Sequence, residues 1–243
     1  MLDLNADLGE GMGDDTAMLA LVTSANVACG GHAGDRATMR AACEEAAALG
    51  VRVGAHVGYP DRDNFGRTFV DLAEAVLLSH ISDQLGELTD IAAAAGTTVS
   101  YVKPHGALYH AAGSHPPHAR AVVTLARSAG LAVVGAPGSL DLDLAREAGL
   151  TSIAEGFADR AYTPLGSLVP RTEPGAVLHD PRAIAARVAD LTRTGTLTAV
   201  DGSRVRLDVR TICVHGDTPG AVAIATRVRA ELERVGLTPV PFS

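Results

Sequence analysis

The chain has 243 residues, a length at which a single α/β barrel of about 250 residues is common and a large core can be buried. Hydrophobic residues make up 47% and aromatics 3%, with no Trp, which excludes a disordered chain and leaves Ala, Val, Leu and Ile to build the core. The net charge of −8 argues against sequence-independent nucleic-acid binding, which needs clustered cations.

No run of about 18 uncharged apolar residues is present, so no membrane span is expected. The first ten residues carry three acids and no base, which is not the pattern of a secretory signal. Three Cys (Cys29, Cys43, Cys213) at unrelated spacings predict reduced thiols and a cytoplasmic protein.

A strand is predicted at 2–7, running into Asn5-Ala6-Asp7-Leu8-Gly9-Glu10. A second at 24–28 hands over to Cys29-Gly30-Gly31-His32-Ala33-Gly34-Asp35. Asp35 can cap a helix over 35–49, which Gly50 ends. A strand at 51–56 follows and ends on His56; a helix pattern covers 72–95 and stops at Gly96. The strand at 98–103 runs into Lys103-Pro104-His105-Gly106. A helix over 117–129 ends at Gly130, before strands at 131–135 and, after Gly149, 151–155. The long loop 156–179 is rich in Gly, Pro and charge, which marks it as functional or disordered. Asp180-Pro181 opens a helix, and 196–209 reads as a hairpin turning at Asp201-Gly202. A strand at 210–214 runs into His215-Gly216-Asp217, a helix covers 217–235, and the tail 237–241 supplies an eighth strand or covers the barrel floor. This alternation predicts an α/β fold: one TIM-like (β/α) barrel domain over 1–243 with about seven parallel strands.

In such barrels the working residues sit at the carboxyl ends of the strands. Four of the nine His (His32, His56, His105, His215) fall there. So does Lys103, the only lysine against 19 arginines. A lysine kept against that preference points to a compact, titratable ammonium, whereas chance survival of a surface lysine is the plain alternative. His80, His110, His115, His118 and His179 read as surface residues.

The blocks Asn5-Ala6-Asp7-Leu8-Gly9-Glu10, Cys29 to Asp35, Phe65-Gly66-Arg67, Val102-Lys103-Pro104-His105-Gly106-Ala107-Leu108-Tyr109, Gly166 to Arg171 and Val214-His215-Gly216-Asp217 resemble the signature blocks of the LamB/YcsF family, in order over nearly the whole chain. Members of that family form the A subunit of the prokaryotic 5-oxoprolinase. The resemblance implies a seven-stranded barrel related to glycoside hydrolases and polysaccharide deacetylases. It implies ATP-dependent opening, with Mg2+, of the lactam 5-oxo-L-proline to L-glutamate, and a need for subunits B and C.

Opening a lactam requires a polarised carbonyl, a nucleophile and an acid for the departing nitrogen. Asp7 and Glu10 can serve as general base or metal ligand, or Asp7 can simply cap a turn. Asp7, His32 and His56 can form a divalent-metal triad, although the paired-His helix spacing of the deacetylases is absent. Lys103 can neutralise developing negative charge and His105 can shuttle a proton. Against this, Lys103 can be a structural ion pair with Asp7 or Glu155. Arg67, Arg160 and Arg171 can fork onto a carboxylate or phosphate, with Glu155, His215 and Asp217 completing a substrate- or ATP-binding rim. Arg160 can equally be a surface residue. No P-loop is present. Two other functions fit the same motifs: a stand-alone metal-dependent deacetylase or amidohydrolase, and a non-catalytic substrate-binding subunit.

Overall fold

A computed structural model describes residues 2–242. The chain runs β1 (Asp3–Leu8), α1 (Asp15–Leu19), β2 (Ser24–Ala28), α2 (Arg36–Leu49), β3 (Arg52–Val57) and α3 (Glu74–Ala94). It continues through β4 (Val99–Pro104), α4 (Gly106–Ala112), α5 (Pro116–Ala129), β5 (Ala132–Gly135), α6 (Leu140–Glu147) and β6 (Ser152–Phe157). After the loop come α7 (Pro181–Thr194), β7 (Thr196–Thr198), β8 (Arg204–Arg206), β9 (Thr211–His215) and α8 (Ala221–Arg234).

Seven parallel strands close a barrel in the order β1-β2-β3-β4-β5-β6-β9. β7 and β8 form the expected antiparallel ribbon outside it. The predicted caps explain the helix ends. Asp35 accepts from the Ala37 and Thr38 amides and Thr38 reciprocates, a full capping box on α2. Asp180 caps α7 with Pro181 in its first turn. α2 and α5 both stop on left-handed glycines, Gly50 and Gly130. α1, α4 and α6 are not visible in the sequence pattern, because each is eight residues or fewer and lacks a full amphipathic repeat.

Alternation sorts the strands into two faces. On β1, Leu4, Ala6 and Leu8 join the apolar layer between sheet and helices. Asp3, Asn5 and Asp7 face the interior, where Asp3 bonds Ser24 of β2 and Asn5 bonds Glu155 of β6. The barrel core is therefore polar near its axis. Register then levels the strand ends: Asp7 pairs with Asn26 on one side and His215 on the other, and His56 pairs with Lys103.

The tail adds no eighth strand. Val240 donates to the Leu2 carbonyl at 2.9 Å, and Phe242 packs on Tyr101 with ring centroids 5.1 Å apart. It covers the floor, and Arg52 holds the Phe242 carbonyl. Tyr101 crosses the interior to donate to Asn26 at 2.6 Å, and Gly54 makes room for it. A Cβ at Gly54 would overlap the Tyr101 ring. Gly54→Ala is therefore expected to lower unfolding free energy by about 1–3 kcal/mol in urea denaturation. An unchanged midpoint would contradict this packing.

Candidate active site

A cavity of about 820 Å³ opens at the carboxyl ends of the strands. Its floor is organised by Lys103, which is 2% exposed. The Nζ lies 2.9 Å from Asp7 Oδ1, 2.9 Å from Glu155 Oε1 and 3.3 Å from Cys213 Sγ. An ammonium has three protons, so these contacts engage all of it. Lys103 is thus a fixed counter-charge, and the structural ion pair considered from sequence exists with both acids at once. Burial opposes its charge, but Asp7 first, then Cys213 and Glu155, outweigh that and raise its pKa well above the ordinary value.

Burial would also raise the Asp7 carboxyl, yet Lys103 and then His56 hold it well below the usual carboxylate range. Asn26 donates to the same Oδ1 at 2.8 Å. The other oxygen has no partner among the described residues, and Asp7 lines the cavity. Burial raises Glu155, which lies beneath Lys103 and off the cavity wall, so it does not join a binding rim. The turn after β1 is capped by Asp15, which accepts from the Gly9 amide, and not by Asp7.

A second cluster stands beside this floor. Glu10 Oε1 lies 3.1 Å from His32 Nε2, 3.3 Å from His105 Nδ1 and 3.8 Å from His56 Nε2. The His32 and His105 rings stack at 3.5 Å. Burial lowers the His32 pKa to about 3 and lowers that of His105 as well. Burial would raise Glu10, but the His105 and His32 rings beside it hold it far below its ordinary value. The predicted triad of Asp7, His32 and His56 is corrected here. His32 faces Glu10 rather than Asp7, and His105 completes the group, because β1 turns its next acid toward β2 and β3 after Gly9. Two sets of side chains can hold a metal ion: Glu10 with His32, His56 and His105, and Asp7 with Cys213 and His215.

Across the cavity, His215 Nδ1 lies 2.8 Å from Asp159 Oδ1, and the Thr218 hydroxyl donates to the other Asp159 oxygen at 2.6 Å. Asp159 is fully buried. Burial would raise it, but His215 keeps its carboxyl below the usual range. This carboxylate fixes the His215 tautomer, with the proton on Nδ1 and the Nε2 lone pair left for the cavity. The His215 ring stacks on Phe157 at 5.0 Å. Sequence reading missed Asp159 as a functional residue. Its signal was its place at the start of the loop after β6, next to Arg160.

At the rim, Arg67 pairs with Asp217, and Arg171 Nη1 stands 3.6 Å from the same carboxylate. Both guanidiniums are partly exposed and line the cavity. Arg160 is neither a free anion fork nor a surface residue. It is buried, and it donates to the Val169 carbonyl at 2.6 Å and to that of Ala176 at 3.3 Å, bracing the long loop. His118 is also corrected: it is buried, bonded to the Tyr59 hydroxyl and the Leu72 carbonyl. His110 and His115 line the cavity, and His179 is exposed.

Replacing Lys103 with Met strips the buried Asp7 and Glu155 of the ammonium they share. The expected loss of stability is about 3–5 kcal/mol, read by denaturant unfolding. A loss under about 1 kcal/mol, the size of a surface pair, would contradict the role of Lys103 as the fixed counter-charge.

The chain has full-length counterparts in sequence and in fold. The A subunit of 5-oxoprolinase from Mycobacterium avium (strain 104) is 55% identical over 243 residues, covering 97% of this chain and 96% of that protein. The solved lactam utilization protein of Thermus thermophilus is 38% identical, with 99% of each chain covered and a TM-score of 0.94. A family 4 carbohydrate esterase from Streptomyces lividans shares the barrel at a TM-score of 0.50 and 15% identity, covering 100% of this chain and 92% of that one. That likeness concerns the fold alone and agrees with the deacetylase-like barrel expected from sequence. No helix among the described residues is long and apolar enough to cross a membrane. Residues 2–243 match the LamB/YcsF family along their whole length, and the chain belongs to that family.

Proposed function

We propose that this chain acts as the A subunit of a 5-oxoprolinase, opening 5-oxo-L-proline to L-glutamate in an ATP-dependent reaction with partner subunits B and C. The naming of its full-length relatives supports the reaction. The observation that carries it is a cavity with a carboxylate-sized cationic rim opposite a carboxylate-oriented histidine.

Arg67 and Arg171 already hold a carboxylate, that of Asp217. The carboxylate of 5-oxoproline replaces or joins it there. The lactam ring then lies in the cavity toward His215 and Asp7. With the lactam carbonyl oxygen phosphorylated by ATP held elsewhere in the assembly, which releases ADP, His215 takes a proton from water through Nε2 as the water oxygen adds to that carbonyl carbon. The carbon–nitrogen bond breaks, and His215 returns the proton to the departing nitrogen, leaving the amine and an acyl phosphate, which a second water hydrolyses to phosphate and the new carboxylate of glutamate. His215 fills this role better than Asp7 or Glu10. Both carboxyls are held well below their ordinary range, which makes them weak bases near neutral pH. Lys103 fixes Asp7 and supplies positive potential at the floor, and His105 acts with Glu10.

The residues lining the cavity do not fit Mg–ATP. Arg67, Lys103, Arg160 and Arg171 face Asp7, Glu10 and Asp217, an excess of one cation, and Arg160 is engaged with carbonyls. That balance suits a monoanion and not a triphosphate. The nucleotide therefore belongs elsewhere in the assembly.

The chain should form glutamate and ADP from 5-oxoproline and ATP only when B and C are present. Glutamate without ATP would instead support a stand-alone amidohydrolase, the reading favoured by the Glu10–His cluster. In the complete system, His215→Ala and Asp159→Asn should each lower kcat by about 10²–10⁴-fold. Arg171→Ala should mainly raise KM. Wild-type turnover in both His215→Ala and Asp159→Asn would overturn the assignment of the base.

A further inference from the structure

We propose that Glu10, His32, His56 and His105 bind one divalent transition-metal ion, of the zinc or cobalt kind, in the wall of the cavity. This rests on geometry and stands whether or not the lactam reading holds.

The tautomers follow from the backbone. His56 Nδ1 lies 3.0 Å from the Lys103 carbonyl, and His105 Nε2 lies 2.9 Å from the Phe65 carbonyl. Carbonyls only accept, so each of these nitrogens carries the proton. The opposite nitrogens, His56 Nε2 and His105 Nδ1, then face one another at 3.1 Å, where at most one of them can carry a proton. Glu10 Oε1 and His32 Nε2 join them, with the contacts from Glu10 at 3.1, 3.3 and 3.8 Å. One proton can bridge a single pair of these atoms, whereas one cation satisfies all four once the stacked His32 and His105 rings tilt apart to bring it into both ring planes.

The spacing has the right size. With metal–ligand bonds of about 2.0–2.1 Å, a tetrahedron separates its ligand atoms by about 3.3–3.4 Å. The four contacts given above bracket that value, and one ligand atom from each residue lies within 4.8 Å of the others. Three imidazoles and one carboxylate are a donor set for zinc and its neighbours rather than for magnesium or calcium. Two of the imidazoles are oriented by carbonyls, as metal-bound histidines usually are.

The surroundings are built for these rings. A Cβ at Gly58 would lie 2.8 Å from His32 Nδ1, and one at Gly66 would lie 2.7 Å from His32 Cβ and 3.1 Å from His105 Cδ2. Phe65, whose carbonyl anchors His105, is the one non-glycine residue with positive φ among the described residues, at 54°. Such a conformation persists only where the surroundings enforce it. Glu10, His56 and His105 also line the cavity, so a water or substrate atom could reach an ion here only as a fifth ligand.

Cobalt(II) titration of the chelator-treated chain tests this, followed by visible absorption and by calorimetry. One equivalent should bind and give d–d bands without a sulfur-to-cobalt charge-transfer band. His105→Gln and Glu10→Gln should each weaken binding by at least about 100-fold, more than outer-shell changes usually do. His179→Ala, an exposed control, should leave it unchanged. Circular dichroism of the two Gln variants separates lost binding from lost folding, and the isosteric Glu10→Gln keeps the test open if His105→Gln unfolds. Absence of binding would overturn the proposal. So would binding that Glu10→Gln leaves intact, or a sulfur-to-cobalt band, which would place the ion at Asp7, Cys213 and His215.

Discussion

A single ammonium group, buried inside the barrel, sets the rest of the site. Lys103 reaches from β4 to acids on β1 and β6, so three strands of the barrel meet at one charge. Removing two carboxylates and an ammonium from water is unfavourable, and their mutual attraction repays it only with good geometry and further hydrogen bonds. The additional bonds are present: Asn26 supports Asp7, Asn5 supports Glu155, and Tyr101 supports Asn26. The polar axis is therefore held rigidly, and Asp7 stays ionised at the cavity floor.

From that floor the site divides by strand. The loops after β1 and β2, the end of β3 and the junction after β4 build the Glu10–histidine cluster. The loop after β6 and the end of β9 build the His215–Asp159 pair. The loop after β3, the long loop and the turn between β9 and α8 bring Arg67, Arg171 and Asp217 together at the rim. The loop after β3 is tied to the end of β4 by the Ala107 amide on the Gly66 carbonyl and by His105 on Phe65. Rim and cluster consequently share one mechanical support.

Much of this was legible in the sequence. Gly after each helix and a short apolar run after each Gly gave the parallel barrel, because αL caps and buried strands leave local traces. The strand-end rule found Asp7, Glu10, His32, His56, Lys103, His105 and His215, all of which the fold brings to one region. What escaped was relational. His118 looks like a surface residue until α5 buries it against Tyr59. Arg160 looks like a rim cation until the long loop folds its carbonyls around it. Asp159 matters only through His215, 56 residues away, and no local pattern shows that pairing. The expected triad does not meet as one group, because sequence spacing cannot say whether Asp7 or Glu10 faces His32.

The proposal rests on a cavity whose balance of charged side chains suits a small monoanion better than a triphosphate. Calorimetric titration of the isolated chain with 5-oxo-L-proline and, separately, with Mg–ATP tests it most directly. Saturable one-to-one binding of 5-oxo-L-proline that weakens in Arg171→Ala, with no heat from Mg–ATP, is the predicted result. Tight one-to-one binding of Mg–ATP with no response to 5-oxo-L-proline would contradict it.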